Sequence, residues 1–353
     1  MLLASMLIAC RVEGAAAAEH QGLPADWHRG ANVTAWDPDA YGTRVAAEAL
    51  AALHATGTER AALVPTWYMA RATSSEVRPA PKRTPTDDAL RNAARTARSL
   101  GMQVVLKPHV DVLDGTFRGD IEPASPSRWW RGYTAMLRHY AELAQQEGAA
   151  MLEVGTELTS MSTDERQWRR LIADVRTRFA GQLTFAANWI DGARAIAFWD
   201  ALDAIGIDAY MPLVTDEPDP SVKRLAEAWK ERGYVAQLEK LSRRHRRPIL
   251  FTELGYRSRL GTAAAPWDWS ATGGAIAQGP QARAYEAAFE VFAGRPWFHG
   301  IYWWDWSAQG WNSEVGDGSH RFAGKKAEAV VRVWHSAARA GLPTVRTRTR
   351  PGR

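Results

Sequence analysis

The chain has 353 residues, of which 46% are hydrophobic and 24% are charged. This composition is globular and excludes an intrinsically disordered chain, and the length is ample for one large core. The formal net charge is +5, but the lysines and arginines are scattered. One cluster, RRHRR at 243–247, could indicate a nucleic-acid patch. We favour a helix end, where cations interact well with the helix dipole, and we expect no nucleic-acid partner.

The N-terminus combines a short apolar run with small and polar residues, MLLASMLIACRVEGAAAAEHQG. The run is too short to span a bilayer as a helix and is typical of a secretory signal with its cleavage region. LIAC at 7–10 also resembles a bacterial lipobox, in which Cys10 would be acylated, although no Lys or Arg precedes it. We predict a leader and linker over 1–26 and a secreted or lipid-anchored monomer. A disordered N-terminal segment is the alternative.

Eight short apolar segments predict β-strands near 30–35, 60–66, 102–109, 149–156, 182–188, 203–210, 248–253 and 298–304. Helical patterns follow most of them, including 127–146 and 162–179, and the latter opens with a capping box, Ser162-x-x-Glu165. Eight such units without a linker predict a single (β/α)8 TIM barrel over 27–340, followed by a basic disordered tail over 341–353. A doubly wound open sheet usually carries a Gly-rich phosphate loop after its first strand, and ANVTAWDPDAYG has none.

Two of the predicted strands end in a glutamate. The fourth, AAMLEVGTELTS, contributes Glu157, and the seventh, in RRPILFTELGYRS, contributes Glu253. Barrel enzymes carry their chemistry at the C-terminal ends of the strands. Hydrolysis of a glycosidic bond requires two carboxyl groups, one that protonates the leaving oxygen and one on the other side of the anomeric carbon. The residues alone leave open whether the pair is catalytic or consists of two structural acids.

Eight stretches distributed along the barrel resemble glycoside hydrolase family 113 of clan GH-A, whose described activity is endo-β-1,4-mannanase. They are RGANVTAWDPDAYGT, ALVPTWYM, LKPHVDVLDGTFRG, VGTELTS, AANW, DAIGIDAYMPL, FTELGYRS and GIYWWDWS. The resemblance implies retaining hydrolysis of a β-1,4-linked polysaccharide, with β-mannan expected. It assigns Glu157 as the acid/base and Glu253 as the nucleophile, with no cofactor and no metal.

Three alternatives remain open. One is a clan GH-A enzyme active on β-glucan, and another is a carbohydrate-binding barrel without hydrolysis. The third is a metal-dependent hydrolase, suggested by KPHVDV, although His109 is the one histidine clearly placed at a strand end.

The resemblance also implies substrate-binding residues. Tyr210 matches the tyrosine that hydrogen-bonds the nucleophile in the clan, and Trp304 in YWWDW matches the tryptophan beneath the sugar at the cleavage point. Thr156 stands where many clan members carry Asn, so Asn188 is the candidate donor to the sugar 2-hydroxyl. Tryptophans at strand ends can stack on the C–H faces of sugars. The predicted substrate-binding set is Trp36, Trp67, His109, Asn188, Tyr210 and Trp304.

Strand alternation makes a further prediction about the barrel interior. Lys107 and Glu153 should both point inward on neighbouring strands, one layer below the site, together with His109 and Asp208. Buried charges persist mainly in pairs, so we expect a salt bridge between Lys107 and Glu153. We interpret this layer as a structural polar network, with a direct catalytic role as the alternative. Because the strand-two arginine of the clan is absent, Lys107 or His109 is expected to supply its positive charge.

The same alternation places Trp304 and Trp306 on one face of the last strand, together with Tyr302. By contrast, Trp130 and Trp168 lie on apolar helix faces, and we predict that both belong to the core.

Overall fold

The computed structural model describes residues 23–270, 274–310 and 316–336. Eight parallel strands pair in sequential order, and the first pairs with the last to close a barrel. The predicted (β/α)8 barrel is therefore confirmed, with a strand at each predicted segment. The strands are β1 (His28–Thr34), β2 (Arg60–Leu63), β3 (Gln103–Leu106), β4 (Met151–Thr156), β5 (Gln182–Asn188), β6 (Ile205–Asp208), β7 (Ile249–Leu254) and β8 (Phe298–Ser307).

Helices surround the barrel in the described part of the chain. They are α1 (Arg44–His54), α2 (Asp87–Ser99), α3 (Pro126–Gln146), α4 (Glu165–Arg176), α5 (Trp189–Ala195), α6 (Val222–Glu231), α7 (Tyr234–His245), α8 (Gln278–Phe292) and α9 (Lys326–Ser336). Within the described ranges, no helix combines the length and apolar character needed to cross a membrane. The predicted lipidation site Cys10 and the predicted tail over 341–353 lie outside the described residues.

Of two predictions about helix ends, one is confirmed and the other is wrong. The basic cluster at 243–247 does lie at the end of α7, which stops at His245. The predicted capping box at Ser162 is wrong. The side chain of Asp164 accepts a hydrogen bond from the backbone N–H of Gln167 and caps α4, whereas Ser162 belongs to a preceding 3₁₀ turn. Asp164 is adjacent to the first helical residue and so reaches the free N–H groups that a cap must satisfy.

A second, two-stranded parallel sheet extends the barrel beyond β2 and β3. Its strands are Thr66–Met69 and His109–Val112. It brings Tyr68 and Asp111 side by side in register. Because it continues from the C-terminal ends of two barrel strands, this extension forms one wall of the barrel mouth.

The outer core between barrel and helices is aromatic. Trp130 and Trp168 are both buried there, as predicted, and their rings meet edge to face at 5.2 Å. Leu23 and Trp27 also belong to this core, ahead of β1. Both residues therefore pack with the barrel domain.

The last strand departs from the predicted alternation. Tyr302 points into the barrel, but Trp306 is buried among the helices and donates its indole N–H to the carbonyl of Ala49 in α1. The pairing register shows why: Ala31 pairs with Trp303, while Val33 pairs with Trp306, so β8 contains one extra residue at this point. A bulge of this kind exchanges the two faces of a strand, and the predicted grouping of Trp304 with Trp306 is wrong.

Candidate active site

A cavity of about 770 Å³ opens at the C-terminal ends of the barrel strands and contains both strand-end glutamates, Glu157 and Glu253. Its walls combine these carboxyl groups with several aromatic side chains. Both its position and its mixture of a few polar groups with aromatic surface are typical of the active sites of barrel enzymes.

Glu253 lies at the floor of the cavity and is almost completely buried. Its Oε2 accepts a 2.8 Å hydrogen bond from the hydroxyl of Tyr210, and its Oε1 lies 3.3 Å from Nζ of Lys107. Nε2 of His109 lies 3.6 Å from the same oxygen. Burial lowers the pKa of His109 well below 6.5, so that imidazole is neutral. The positive charge beside Glu253 is therefore that of Lys107.

Beneath Glu253, Lys107 is held by three carboxylates. Besides its contact with Glu253, its Nζ donates a 2.7 Å hydrogen bond to Glu153 and lies 3.5 Å from Asp208. The side chains of Lys107, Glu153 and Asp208 are inaccessible to solvent. Asp208 also accepts a 2.8 Å hydrogen bond from the hydroxyl of Thr252. The predicted Lys107–Glu153 salt bridge is confirmed, because strand alternation places both side chains inside the barrel. Burial disfavours the charge on Lys107, but the surrounding carboxylates outweigh it and raise its pKa.

Glu157 approaches the cavity from β4 in an unusual backbone conformation. Its φ angle is 52°, in the left-handed region that non-glycine residues seldom adopt, and its N–H donates to the carbonyl of Ala186 on β5. Its side chain is 12% exposed, and its Oε2 accepts a 3.2 Å hydrogen bond from Nη1 of Arg118. Such conformations concentrate at functional sites, where the surrounding structure holds them in place.

The two glutamates have raised pKa values but different surroundings. Burial raises the pKa of Glu157 to about 7; the charge of Arg118 opposes this rise and that of Glu253 adds to it. Burial and the charge of Asp208 raise the pKa of Glu253 to about 7, while Lys107, Arg118 and the bond from Tyr210 lower it. Two like charges near one another resist ionising together. Because Glu253 has both a hydroxyl donor and an ammonium group, it is the better site for the single negative charge.

Four of the six predicted substrate-binding residues line the cavity: Trp36, Asn188, Tyr210 and Trp304. Trp36 follows β1 and is 40% exposed. Trp304 is buried except for its face on the cavity, and its other side stacks on the ring of His109 with centroids 6.0 Å apart. His109 thus lies behind Trp304 and Glu253. It was predicted to bind substrate, but it does not line the cavity.

The structure also keeps Trp67 away from the cavity. Its indole N–H donates a 3.0 Å hydrogen bond to the hydroxyl of Tyr140 in α3. Its neighbour Tyr68 lines the cavity, and successive side chains of a strand point to opposite faces. Trp67 therefore faces the helix layer, and the prediction that it binds substrate is wrong.

Comparison with known proteins agrees with this geometry. The model of Glycoside Hydrolase Family 113 matches residues 34–325. The chain belongs to glycoside hydrolase family 113. The family assignment makes it a glycoside hydrolase whose substrate is a saccharide.

Solved structures of family 113 proteins overlay closely on this glycoside hydrolase. A structure described as GH113 β-mannanase AaManA from Alicyclobacillus acidocaldarius, in complex with ManMIm, is 33% identical, with a TM-score of 0.80 over 88% of this chain and 97% of that one. A complex described as a GH113 β-1,4-mannanase is 27% identical, with a TM-score of 0.79 over 88% and 99%. A β-glucuronidase from Ruminococcus gnavus, 12% identical with a TM-score of 0.59, shares the fold alone over 88% of this chain and 50% of that one. None of the curated proteins matches.

Sequence reasoning missed several residues at the site of this family 113 chain. Arg118 forms the ion pair with Glu157, and Trp189, Trp267 and Trp269 add indoles to the cavity wall. Trp189 immediately follows the strand-end residue Asn188, and that position could have indicated it. Arg118, Trp267 and Trp269 lie in loops without a periodic pattern, so nothing local indicates their direction. In the described ranges, no group of three or more His, Cys, Asp or Glu side chains is arranged to hold a metal ion.

Proposed function

We propose that this protein hydrolyses β-1,4-mannan by a retaining, double-displacement mechanism, with Glu157 as acid/base and Glu253 as nucleophile. The observation that carries the proposal is that both carboxyl groups face one cavity from β4 and β7 in different surroundings. Membership of family 113 supports glycoside hydrolysis, and the similarity to solved β-mannanases supports mannan as the polymer.

In the first step, Glu157 donates its proton to the glycosidic oxygen while a carboxylate oxygen of Glu253 attacks the anomeric carbon. The bond from that carbon to the leaving oxygen breaks, and the shortened saccharide departs with the proton. The raised pKa of Glu157 keeps the proton available near neutral pH. The bond from Tyr210 and the charge of Lys107 favour the ionised form of Glu253 against the effect of burial, and they orient the carboxylate for attack.

In the second step, Glu157 acts as a base. It takes a proton from a water molecule, whose oxygen attacks the anomeric carbon and displaces Glu253 as a carboxylate. Glu157 is then protonated again, Glu253 is again ionised, and two inversions leave the configuration of the sugar unchanged.

The walls of the cavity fit a chain that extends on both sides of the cleaved bond. Trp36 follows β1 and Trp189 follows β5. These two strands lie on opposite sides of the eight-stranded barrel, and Trp304 on β8 lines the same cavity. An indole covers the flat C–H face of a sugar at little conformational cost. A polymer threaded across the mouth would meet sugar-binding surface at both ends, which supports internal cleavage.

Azide rescue of the two glutamate variants tests the mechanism. Glu157→Ala should still form the glycosyl-enzyme from a dinitrophenyl β-mannobioside, because that leaving group needs no proton, and azide should restore turnover with retained configuration. Azide added to Glu253→Ala should give the inverted glycosyl azide. Exchanged configurations would reverse the assigned roles, and near-normal mannan hydrolysis by either variant would remove that residue from the mechanism.

The substrate is tested with matched oligosaccharides. The products from mannohexaose and cellohexaose, separated over time, should show cleavage of internal bonds of the mannose chain and little action on the glucose chain. Faster cleavage of cellohexaose would instead support the β-glucan alternative. Binding of mannohexaose with no release of products from any substrate would support a carbohydrate-binding barrel.

We also propose that the protein is exported, because a mannan polymer is too large to import. The apolar run before Cys10 and the LIAC motif support this. Cell fractionation of the expressed full chain tests this. The wild-type protein should appear in the membrane fraction, and Cys10→Ser should move it to the soluble exported fraction. Recovery of both forms in the cytoplasm would contradict export.

A further inference from the structure

We propose that Arg118 is a positioning residue that holds the carboxylate of Glu157 at the leaving-group side of the cavity and favours its ionised form in the second step, with Asp111 limiting the strength of that effect. This inference rests on the proposed function, since it concerns the residue assigned there as acid/base.

The contacts of Arg118 divide unequally between two carboxylates. Nε and Nη2 both donate to Oδ1 of Asp111, at 3.2 and 2.5 Å, and Nη1 alone donates to Glu157, at 3.2 Å. The side chains of Arg118 and Asp111 are 17% and 28% exposed. Asp111 therefore holds the guanidinium in place, and Glu157 receives the one longer hydrogen bond.

Backbone and hydroxyl contacts fix Arg118 relative to Glu157. The segment after Glu157 joins the segment after Arg118 through Ser160, whose N–H donates to the carbonyl of Gly119 at 3.0 Å and whose hydroxyl donates to that of Ile121 at 2.6 Å. These two hydrogen bonds tie the two loops to each other. A guanidinium held in this way restricts the Glu157 carboxylate to a narrow range of orientations.

Glu157 must be protonated in the first step and ionised in the second, so an ion pair of intermediate strength suits it best. A guanidinium devoted to Glu157 alone would favour the ionised form and impair proton donation, whereas none would impair base catalysis. Asp111 draws two of the three donated bonds away and partly neutralises the guanidinium. The charge of Arg118 lowers the pKa of Glu157, and that of Asp111 raises it.

Other charged groups face Glu157 from neighbouring strands and must stay unchanged in a test. Glu253 on β7 and Lys107, just beyond β3, both act on its charge. The charge of Glu157 also raises the pKa of Asp208 on β6 and of Tyr210, two residues later in the chain. None of them hydrogen-bonds the Glu157 carboxyl group among the contacts of the described residues, so Arg118 and Asp111 can be varied separately from them.

The pH dependence of kcat/KM on mannohexaose gives two shifts of opposite sign. Arg118→Gln removes a cation, so the pKa of Glu157 should rise and the alkaline limb should move up by about one pH unit. Asp111→Asn removes an anion but keeps an oxygen that can accept from Arg118, so the full charge of the guanidinium acts on Glu157 and the same limb should move down. Arg118→Lys should restore most of the limb position but less of the rate, because an ammonium keeps the charge and loses the fork of donors.

The kinetics of the second step give an independent readout. With dinitrophenyl β-mannobioside, Arg118→Gln should lower kcat about tenfold at pH 6 and lower KM, because the glycosyl-enzyme accumulates while it waits for an ionised base. Azide attacks without a base and should restore part of this kcat. Arg138→Gln is the matched control: its guanidinium pairs with Asp174 between α3 and α4, is 50% exposed, and should change neither limb.

Two results would overturn the proposal. An unchanged alkaline limb in Arg118→Gln with a raised KM would make Arg118 a substrate contact only. Shifts of the same sign in the Arg118 and Asp111 variants would contradict their opposing effects. If Arg118→Gln fails to fold, Arg118→Lys and Asp111→Asn still have to differ in the direction predicted. Full mannan hydrolysis by Glu157→Ala would refute the proposed function itself, whereas a normal loss there with no shift in the Arg118 variant refutes the positioning role alone.

Discussion

Nζ of Lys107 lies 3.3 Å from Oε1 of Glu253 inside the barrel, so the ammonium that neutralises the buried floor of the site also contacts the proposed nucleophile. Glu153 and Asp208 share the same ammonium. Loss of Lys107 should therefore affect both the stability of the barrel interior and the proposed nucleophile.

Lys107→Met should strongly destabilise the fold. It leaves buried carboxylates without a counterion, and breaking a buried ion pair in this way costs about 3–5 kcal/mol. Urea unfolding followed by tryptophan fluorescence measures the free energy of unfolding. Lys223→Met is the control, because that lysine is exposed on α6 and its partner Glu227 lies 3.9 Å away, so its loss should cost less than about 1 kcal/mol. Equal stability of both variants would show that the buried network does not depend on Lys107.

Tyr210→Phe should impair catalysis with little change in stability. The variant removes the 2.8 Å hydrogen bond to Oε2 of Glu253 and keeps the ring. A hydrogen bond to a charged group contributes about 1.5–3 kcal/mol, so kcat/KM on mannan should fall about 10- to 100-fold. This bond lowers the pKa of Glu253. Its loss should move the acidic limb of the pH profile upward. A wild-type rate and profile would contradict the role of Tyr210.

The pH profile of kcat/KM on mannan should be bell-shaped around the state in which the two glutamates share one proton. Glu253 acts ionised, so activity is lost as pH falls through the lower step. Glu157 acts protonated, so activity is lost as pH rises through the upper step. The pKa values of both are raised, to about 7.

The same coupling predicts the behaviour of Glu157→Gln. Gln is neutral like the protonated Glu157 of the active state, so the acidic limb for glycosyl-enzyme formation from dinitrophenyl β-mannobioside should stay within about half a pH unit of the wild-type limb. The rate of dinitrophenol release in the first turnover measures this limb. A clear shift of this limb to lower pH would show that Glu157 is already ionised in the state in which Glu253 attacks.

Trp267→Ala should weaken the use of long substrates. The indole is 42% exposed, lies 5.1 Å from that of Trp189 and forms part of the cavity wall. Loss of one stacked sugar contact of about 1.5 kcal/mol corresponds to a roughly tenfold fall in kcat/KM on mannohexaose. The effect should be smaller on mannotriose. Trp297→Ala is the control, because that residue precedes β8 at the opposite end of the barrel, against Arg295. Equal losses on both substrate lengths would place Trp267 outside the path of the chain.

The sequence by itself determined the barrel, the strand ends that carry Glu157 and Glu253, and the buried Lys107–Glu153 pair. These features follow from apolar periodicity and strand alternation, which are local properties of the chain. Tertiary structure alone decided that Arg118 reaches Glu157, because the two residues are 39 positions apart with α3 and β4 between them, and the segment around Arg118 has no periodic pattern. It also turned Trp306 toward the helices, because β8 carries one extra residue where it pairs with β1. Local alternation predicts where a side chain points only while the pairing of neighbouring strands stays regular, and loops have no such pairing to constrain them.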